Sequence, residues 1–376
     1  MRILLITKRQ CVGRDILNDR YWRLFEIPEH LGSIGHIVSG LTLSYRSRPE
    51  GAYIFSEPTR TQWTSLNALP IIPLKLWQYQ KSLIQQLELF RPDLVWASSD
   101  AFHAIAAWWT CFPRRIPFVL DLYDNYESFA LTKLPGLTPL LRAACRKAAG
   151  LTLISNALKD FVDANYRLPP ETPRLVLGNA VDTRKFKVMD KSEARRKLGL
   201  PEHGLLVGTA GAIQSNRGIE TLLAAYTQLR SGIPDLKLVL AGPTDQRPEQ
   251  LKQPGVTYLG IIPNDTVPLF WSALDVAIVA NKESAFGRYC YPQKLQEIIA
   301  CGTPVVATGI GEVCNILCHH KHSLVPPDDP ALMAEAVASQ LKQPTPVDRS
   351  LIRTWEDRAL ELSNFLQKEI LHPPRI

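Results

Sequence analysis

The run Gly211-Ala-Ile-Gln-Ser-Asn-Arg217-Gly218 stands between an apolar segment, LLVGTA (205–210), and an amphipathic one, IETLLAAYTQLR (219–230). Glycines let a backbone approach a ligand, and a helix opening after them offers unpaired N–H groups and a positive dipole end to an anion. Arg217 adds a fixed charge, so the chemistry on offer is phosphate binding. A second anion site is read in Tyr289-Cys-Tyr-Pro292-Gln-Lys294-Leu-Gln-Glu297. Pro292 suits the first helical position and Gly302 the stop, which predicts a helix over 292–301. Lys294 and Glu297 then share a face near its amino end, where a cation meets phosphate and a carboxylate accepts hydrogen bonds from sugar hydroxyls. A plain strand–turn–helix connection and a solvated surface pair are the competing readings.

Other polar groups follow apolar runs earlier in the chain. Asp124 comes directly after IPFVLD (116–121) and is the candidate catalytic residue, with His103 of SSDAFH (98–103) as the alternative base or as a helix-capping partner. Arg14, Asp19 and Arg20, with Asp100, are read as acceptor-side groups for a phosphorylated acceptor; a solvated helix face explains the arginines equally well. Trp22, Trp77, Trp108 and Trp109 with Arg20, Arg23, Lys75 and Lys81 suggest a patch for a lipid-linked acceptor and peripheral contact with the membrane, against core packing. Cys314-Asn-Ile-Leu-Cys318-His-His-Lys-His322 has the residue types of a zinc site but is read as part of a connecting helix, so no metal site is expected.

The elements that must hold these groups form two series. Short β-rich runs at 2–7, 36–43, 93–98, 116–121 and 151–155 alternate with helix-length segments at 14–32, 75–90 and 136–149. A second series has strands at 205–210, 236–241, 256–260, 275–280 and 304–308. Alternation of this kind predicts two parallel sheets with crossover helices, and ligands at the carboxyl ends of their strands. The polar segment 177–204 separates the series, giving one Rossmann-like domain over 1–185, a second over 186–350 and a crossover helix over 351–376. At 376 residues, with 45% hydrophobic and 21% charged residues, the chain suits two globular domains. A net charge of +7 without a dense basic run favours phosphorylated ligands or an anionic membrane surface and gives no nucleic-acid arm. The short apolar start and seven scattered cysteines predict a cytoplasmic protein with reduced thiols, peripheral at the inner face of the membrane if it touches one.

Together these segments resemble the donor domain of the retaining GT-B glycosyltransferases of the large family 4 type, the group 1 glycosyltransferases. The glycine turn resembles that family's phosphate loop, and PQKLQEIIACGTPVVAT resembles its signature helix. GNAVDTRKF (178–186) resembles the domain-linking segment, with Ala180 in place of glycine; AGP (241–243), GVTYLG (255–260) and ALDVAIVA (273–280) extend the likeness over 150–330. The resemblance implies a GT-B fold, with two Rossmann-like domains facing each other across a cleft and a C-terminal helix packing back on the first. It implies that Arg217 and Lys294 neutralise the diphosphate, Glu297 holds ribose, and the backbone near Leu259 meets the base. Glu283, with Phe286 and Gly287, would touch the donor sugar through a loop longer than usual, since Tyr289 stands where a partner glutamate is common. No cofactor and no metal are expected. Two departures are plain: Ala212 replaces the usual arginine of the phosphate loop, and Asp124 stands where a histidine is frequent. The implied activity is transfer of a sugar from a nucleotide-diphosphate sugar to a hydroxyl of a carbohydrate or lipid-linked acceptor, in surface polysaccharide or glycolipid synthesis. The alternatives are a catalytically impaired nucleotide-sugar-binding or scaffold protein, and a nucleotide-sugar epimerase.

Overall fold

The computed structural model describes the chain except residues 12–13, 21, 56–60, 71, 130–131, 133, 247–250, 252 and 374–376, and of residues 73 and 216 the backbone alone. The chain divides into two compact units, Met1–Asn179 with Trp355–Ile376, and Ala180–Thr354. The sequence reading put these divisions at 185 and 350.

Unit 1 runs β1 (Arg2–Lys8), β2 (Gln10–Cys11), β3 (Arg14–Asp15), α1 (Arg23–Ser33), β4 (Ile37–Ser44), β5 (Gly51–Ile54), β6 (Thr61–Asn67), α2 (Ile72–Phe90), β7 (Leu94–Ser98), α3 (Ala101–Cys111), β8 (Phe118–Leu122), α4 (Leu137–Lys147), β9 (Gly150–Leu153), α5 (Asn156–Asn165) and β10 (Arg174–Val176). Its main sheet has the order β10-β9-β8-β7-β1-β4-β6-β5. Every pairing is parallel except the edge pair β5–β6. β1 lies inside because Ile3, Leu4, Leu5 and Ile6 are apolar on both faces and wholly buried, as a strand covered by helices on both sides requires.

Two expectations are corrected here. Residues 14–32 are not one helix: α1 begins only at Arg23. The buried Arg9 guanidinium holds Asp15 at 2.9 Å, and the Asp15 carboxylate accepts the Leu17 and Asn18 amides at 3.1 and 3.2 Å. A side chain that captures nearby N–H groups competes with helix, and here a turn results. Tyr21, inside that segment, lies outside the described residues. The strands β5 and β6 were not foreseen, because TQWTSLN buries only every second residue and has no apolar run. Trp63 anchors β6 over Gly40, where a Cβ would stand 2.1 Å from the indole.

Unit 2 continues with α6 (Lys191–Lys197), β11 (Leu206–Ala210), α7 (Ile219–Gly232), β12 (Lys237–Ala241), β13 (Val256–Tyr258), α8 (Val267–Ala273), β14 (Val276–Val279), α9 (Ala285–Tyr289), α10 (Gln293–Cys301), β15 (Val305–Thr308), α11 (Glu312–Ile316), β16 (Leu324–Val325) and α12 (Pro330–Lys342). The sheet order β13-β12-β11-β14-β15-β16 is parallel throughout. Helices cover both faces: Phe270, Trp271, Leu295 and Ile298 build one core, and Leu222, Tyr226, Met333 and Val337 the other. The last helix, α13 (Trp355–Phe365), belongs to unit 1, where it packs on α1 and Ser363 Oγ lies 2.7 Å from His36 Nε2. No described helix is long and apolar enough to cross a membrane.

Candidate active site

In unit 2 the carboxyl ends of β11 and β14 and the first turns of α7 and α10 converge. Gly211 leaves β11 with φ +107°, and a Cβ built there would stand 3.5 Å from Lys294 Nζ. Gly218, the N-cap of α7, has φ +73°, and a Cβ there would lie 3.3 Å from the Asn281 backbone beyond β14. Both backbone angles favour glycine, and at Gly218 the space is tight as well. α10 begins one residue later than expected: Pro292 is its N-cap rather than its first helical residue, and Gly302 ends it in the left-handed region.

This geometry sets two unusual ionisations. Burial and the Arg217 guanidinium together lower the Lys294 ammonium to a pKa of about 8, against the opposing charge of Glu297. Among the described residues no carboxylate comes within 4.0 Å of that ammonium. One turn along α10, burial raises the Glu297 carboxyl to about 7 against hydrogen bonds from Trp271 and Gln293 and the charge of Lys294. The Trp271 indole N–H donates to Glu297 Oε2 at 3.2 Å, which fixes one oxygen. Sequence reasoning missed Trp271, because nothing in the apolar segment VPLFWSA marks one aromatic as a partner for a carboxylate.

The remaining donor-side candidates divide. The Arg217 guanidinium lies over the Phe286 ring at 3.3 Å from its centroid. Phe286 is on α9, which Ser284 caps by accepting the Gly287 amide at 3.1 Å; a Cβ at Gly287 would meet the Lys282 carbonyl at 2.5 Å, so the turn is tight. Tyr289 ends the same helix and is half-buried. Leu259 follows β13, its amide donating to the Leu240 carbonyl at 2.8 Å. Glu283 is placed in a surface ion pair with Arg288 at 2.6 Å, both side chains about half exposed.

In unit 1 the sheet turns at β7 and β1, from which neighbours are added in opposite directions. Asp100 caps α3, accepting the His103 amide at 3.1 Å and bonding His103 Nδ1 at 2.7 Å and the Tyr45 hydroxyl at 3.0 Å. Burial pushes the Asp100 carboxyl up, but the His103 imidazole and its bonds, with Lys8 nearby, hold it at about 2. His103 is wholly buried and edge-on to Tyr79 and Phe102. The imidazole is seated as the capping reading has it, bonded to Asp100 through Nδ1 and wholly buried, and Asp100 is buried beside it. Asp124 lies past β8, half-buried, its Oδ1 accepting the Asn125 amide at 2.7 Å. Arg14 is in the hairpin strand β3, and exposed Arg20 lies over Phe55 at 4.7 Å. Arg23 was read as a surface cation but is wholly buried, bonded to Asp121 at 2.9 Å and to the Leu177 carbonyl.

The family "Glycosyl transferases group 1" matches residues 204–343, and "Glycosyltransferase Family 4" matches residues 23–185. The chain belongs to the group 1, family 4 glycosyltransferases. It is similar to the 2-deoxystreptamine glucosyltransferase of Streptomyces kanamyceticus, 27% identical over 61% of this chain and 60% of that one. Matches to two further curated relatives span 46% and 62% of their lengths. Among solved structures, sucrose-phosphate synthase from Thermosynechococcus elongatus superposes with a TM-score of 0.74 at 19% identity, covering 97% of this chain and 98% of that one. Anabaena HepE in complex with UDP gives 0.69 at 17% identity, covering 99% and 97%. These likenesses establish the GT-B fold.

Ala212 brings no charge to the loop of this family 4 chain, and the cations Arg217 and Lys294 come from its far end and from α10. Cys314 lies on the short helix α11, and the described residues hold no group of three or more His, Cys, Asp or Glu arranged for a metal ion.

Proposed function

We propose that the protein is a retaining glycosyltransferase that moves a sugar from a nucleoside-diphosphate sugar to a hydroxyl of a carbohydrate or lipid-linked acceptor, in surface polysaccharide or glycolipid synthesis. The observation that carries this reading is the convergence of two cations at the glycine loop: Lys294 sits against Gly211, buried and close enough to Arg217 for burial and that charge to depress it. Two like charges held together, one of them buried, favour a ligand with more than one negative charge. The amino ends of α7 and α10 add their dipoles to the same cluster.

In this reading the diphosphate lies on the Gly211–Gly218 loop, Glu297 accepts the ribose hydroxyls, and the turn at Leu259 borders the base. Charge developing on the leaving phosphate is met by Arg217, Lys294 and the helix ends, so a divalent cation has no necessary part. The sugar passes through an oxocarbenium-like state. Front-face attack assisted by the leaving phosphate keeps the anomeric configuration. The UDP held by the HepE relative supports a nucleoside diphosphate as the common element. The glucosyltransferase name of the curated relative supports sugar transfer.

The test has two stages. A thermal-shift screen of nucleoside diphosphates and their sugars should find one base that raises the melting temperature, since only a bound ligand does so through mass action. Nucleotide release on an acceptor panel should then fall about tenfold or more in Arg217→Ala and Glu297→Ala, consistent with loss of a charge-assisted bond of about 1.5–3 kcal/mol. Unchanged turnover in both removes the site assignment. Ala212 and the enclosed His103 favour one second reading, a donor-binding protein without transfer. Tight nucleotide-sugar binding with no release on any acceptor would support it.

A further inference from the structure

Helix α2 turns Tyr79, Leu83 and Leu87 into the core of unit 1. Its exposed face is mixed, with Gln78, Gln85 and Glu88 beside large apolar side chains. Ile72, Leu74 and Trp77 are 50%, 47% and 59% exposed, and Leu74, Trp77 and Lys81 follow the three- and four-residue spacing of one helical stripe. The Lys81 ammonium lies 5.1 Å over the Trp77 ring. On the neighbouring helix α3 and just beyond it, Trp109 and Phe112 are 57% and 51% exposed, and Lys147 lies 5.5 Å over Phe112. The two helices meet between these groups: Gln80 of α2 hydrogen-bonds the Thr110 hydroxyl, and Arg114 donates to the Thr110 carbonyl at 2.9 Å. Past Phe112 an open groove of about 430 Å³ continues between Arg115, Lys147 and Ile370.

The charge around the aromatic groups is mostly positive. Segments 69–87, 101–120 and 133–150 contain no aspartate or glutamate, and Glu88 stands exposed only at the far end of α2. They carry Lys75, Lys81, Arg114, Arg115 and Lys147. Lys75 reaches Glu50 at 3.4 Å. Exposed apolar patches of this kind mark interaction surfaces. The core of a protein–protein interface is depleted of lysine, whereas the headgroup zone of an anionic bilayer takes aromatic rings and lysine ammoniums at the same depth.

We propose that this face of unit 1, centred on Trp77, Trp109 and Phe112, docks on an anionic lipid bilayer. It revises the sequence reading of the tryptophans. Arg23 is buried, and Trp22 lies edge-on to Tyr123 at 5.0 Å, so neither belongs to the face. Leu74, Phe112, Arg114 and Lys147 do. The proposal is independent of any sugar transfer.

The test is cosedimentation of the full chain with vesicles of phosphatidylcholine, alone or mixed equally with phosphatidylglycerol. The wild type should sediment with the mixed vesicles and be released by salt. Trp77→Ser with Trp109→Ser, and separately Lys81→Glu with Lys147→Glu, should each lower that binding about tenfold. Neither pair should change far-UV circular dichroism or the nucleotide-induced thermal shift. Absence of wild-type binding to the mixed vesicles overturns the proposal, as does undiminished binding in both double variants. A wild-type dimer in light scattering that the tryptophan pair converts to monomer, without vesicle binding, reassigns the face to self-association.

Discussion

Lys294 Nζ occupies the space beside Gly211: a methyl group at that glycine would stand 3.5 Å from the ammonium and 3.6 Å from its Cε. The lysine and the loop therefore enclose one small volume, which a phosphate oxygen would share. Gly211→Ala puts a methyl group in that volume and strains a backbone at φ +107°. Nucleotide affinity is expected to fall about tenfold or more, with a lowered melting temperature. Calorimetric titration of the variant checks this; wild-type affinity would show that the loop and the lysine do not share the ligand.

The ionisations of α10 give donor binding a narrow pH optimum. Burial holds the free Glu297 carboxyl up to about 7, so it becomes a full acceptor for ribose hydroxyls only as pH rises through 7. Burial and Arg217 hold Lys294 down to about 8, so its charge is lost as pH rises through 8. Affinity should rise below about pH 7, peak between about 7 and 8, and decline above. Glu297→Gln should remove the acid limb and Lys294→Met the alkaline one. Dissociation constants measured across pH for the three proteins decide it.

The two-sheet fold was legible because strands covered on both faces read as unbroken apolar runs: RILLIT, LKLVLA and DVAIVA all became strands with ends shifted by a residue or two. Where burial alternates, as in β6, or where a buried ion pair bends the chain, as at Arg9 and Asp15, periodicity says nothing. At the donor site the glycines, Arg217, Lys294 and Glu297 were readable from type and spacing, since they act through the backbone and the first turns of helices. Trp271 and the stacking of Phe286 under Arg217 were not, because packing against distant segments sets them. His103 was readable as reactive by type, whereas its depth in the core was not, because distant packing sets it.

Arg23 and Asp121 form a wholly buried pair, with Ser98 and Thr152 hydroxyls also donating to the carboxylate at 2.7 Å. Removing one charge strands the other. Asp121→Asn is expected to cost about 3–5 kcal/mol, while Arg23→Met with Asp121→Leu, which removes both charges, should recover part of that loss. Urea denaturation followed by circular dichroism measures both; an Asp121→Asn change below about 1 kcal/mol would mean that solvent reaches the pair.

His103 and Asp124 separate structure from chemistry. The Asp100 carboxyl, held at about 2 by His103, contributes stability that is present above the usual carboxylate range and is lost as pH falls towards 2. His103→Leu removes that support and leaves a buried carboxylate short of a partner, so it should destabilise the protein by about 1–3 kcal/mol and weaken its acid resistance. Nucleotide release per folded molecule should stay near the wild-type value. Asp124→Asn should do the reverse, leaving the melting temperature in place and lowering turnover about tenfold or more. Turnover that instead follows His103 and ignores Asp124 would move the chemistry to the imidazole, which would have to be uncovered before an acceptor could reach it.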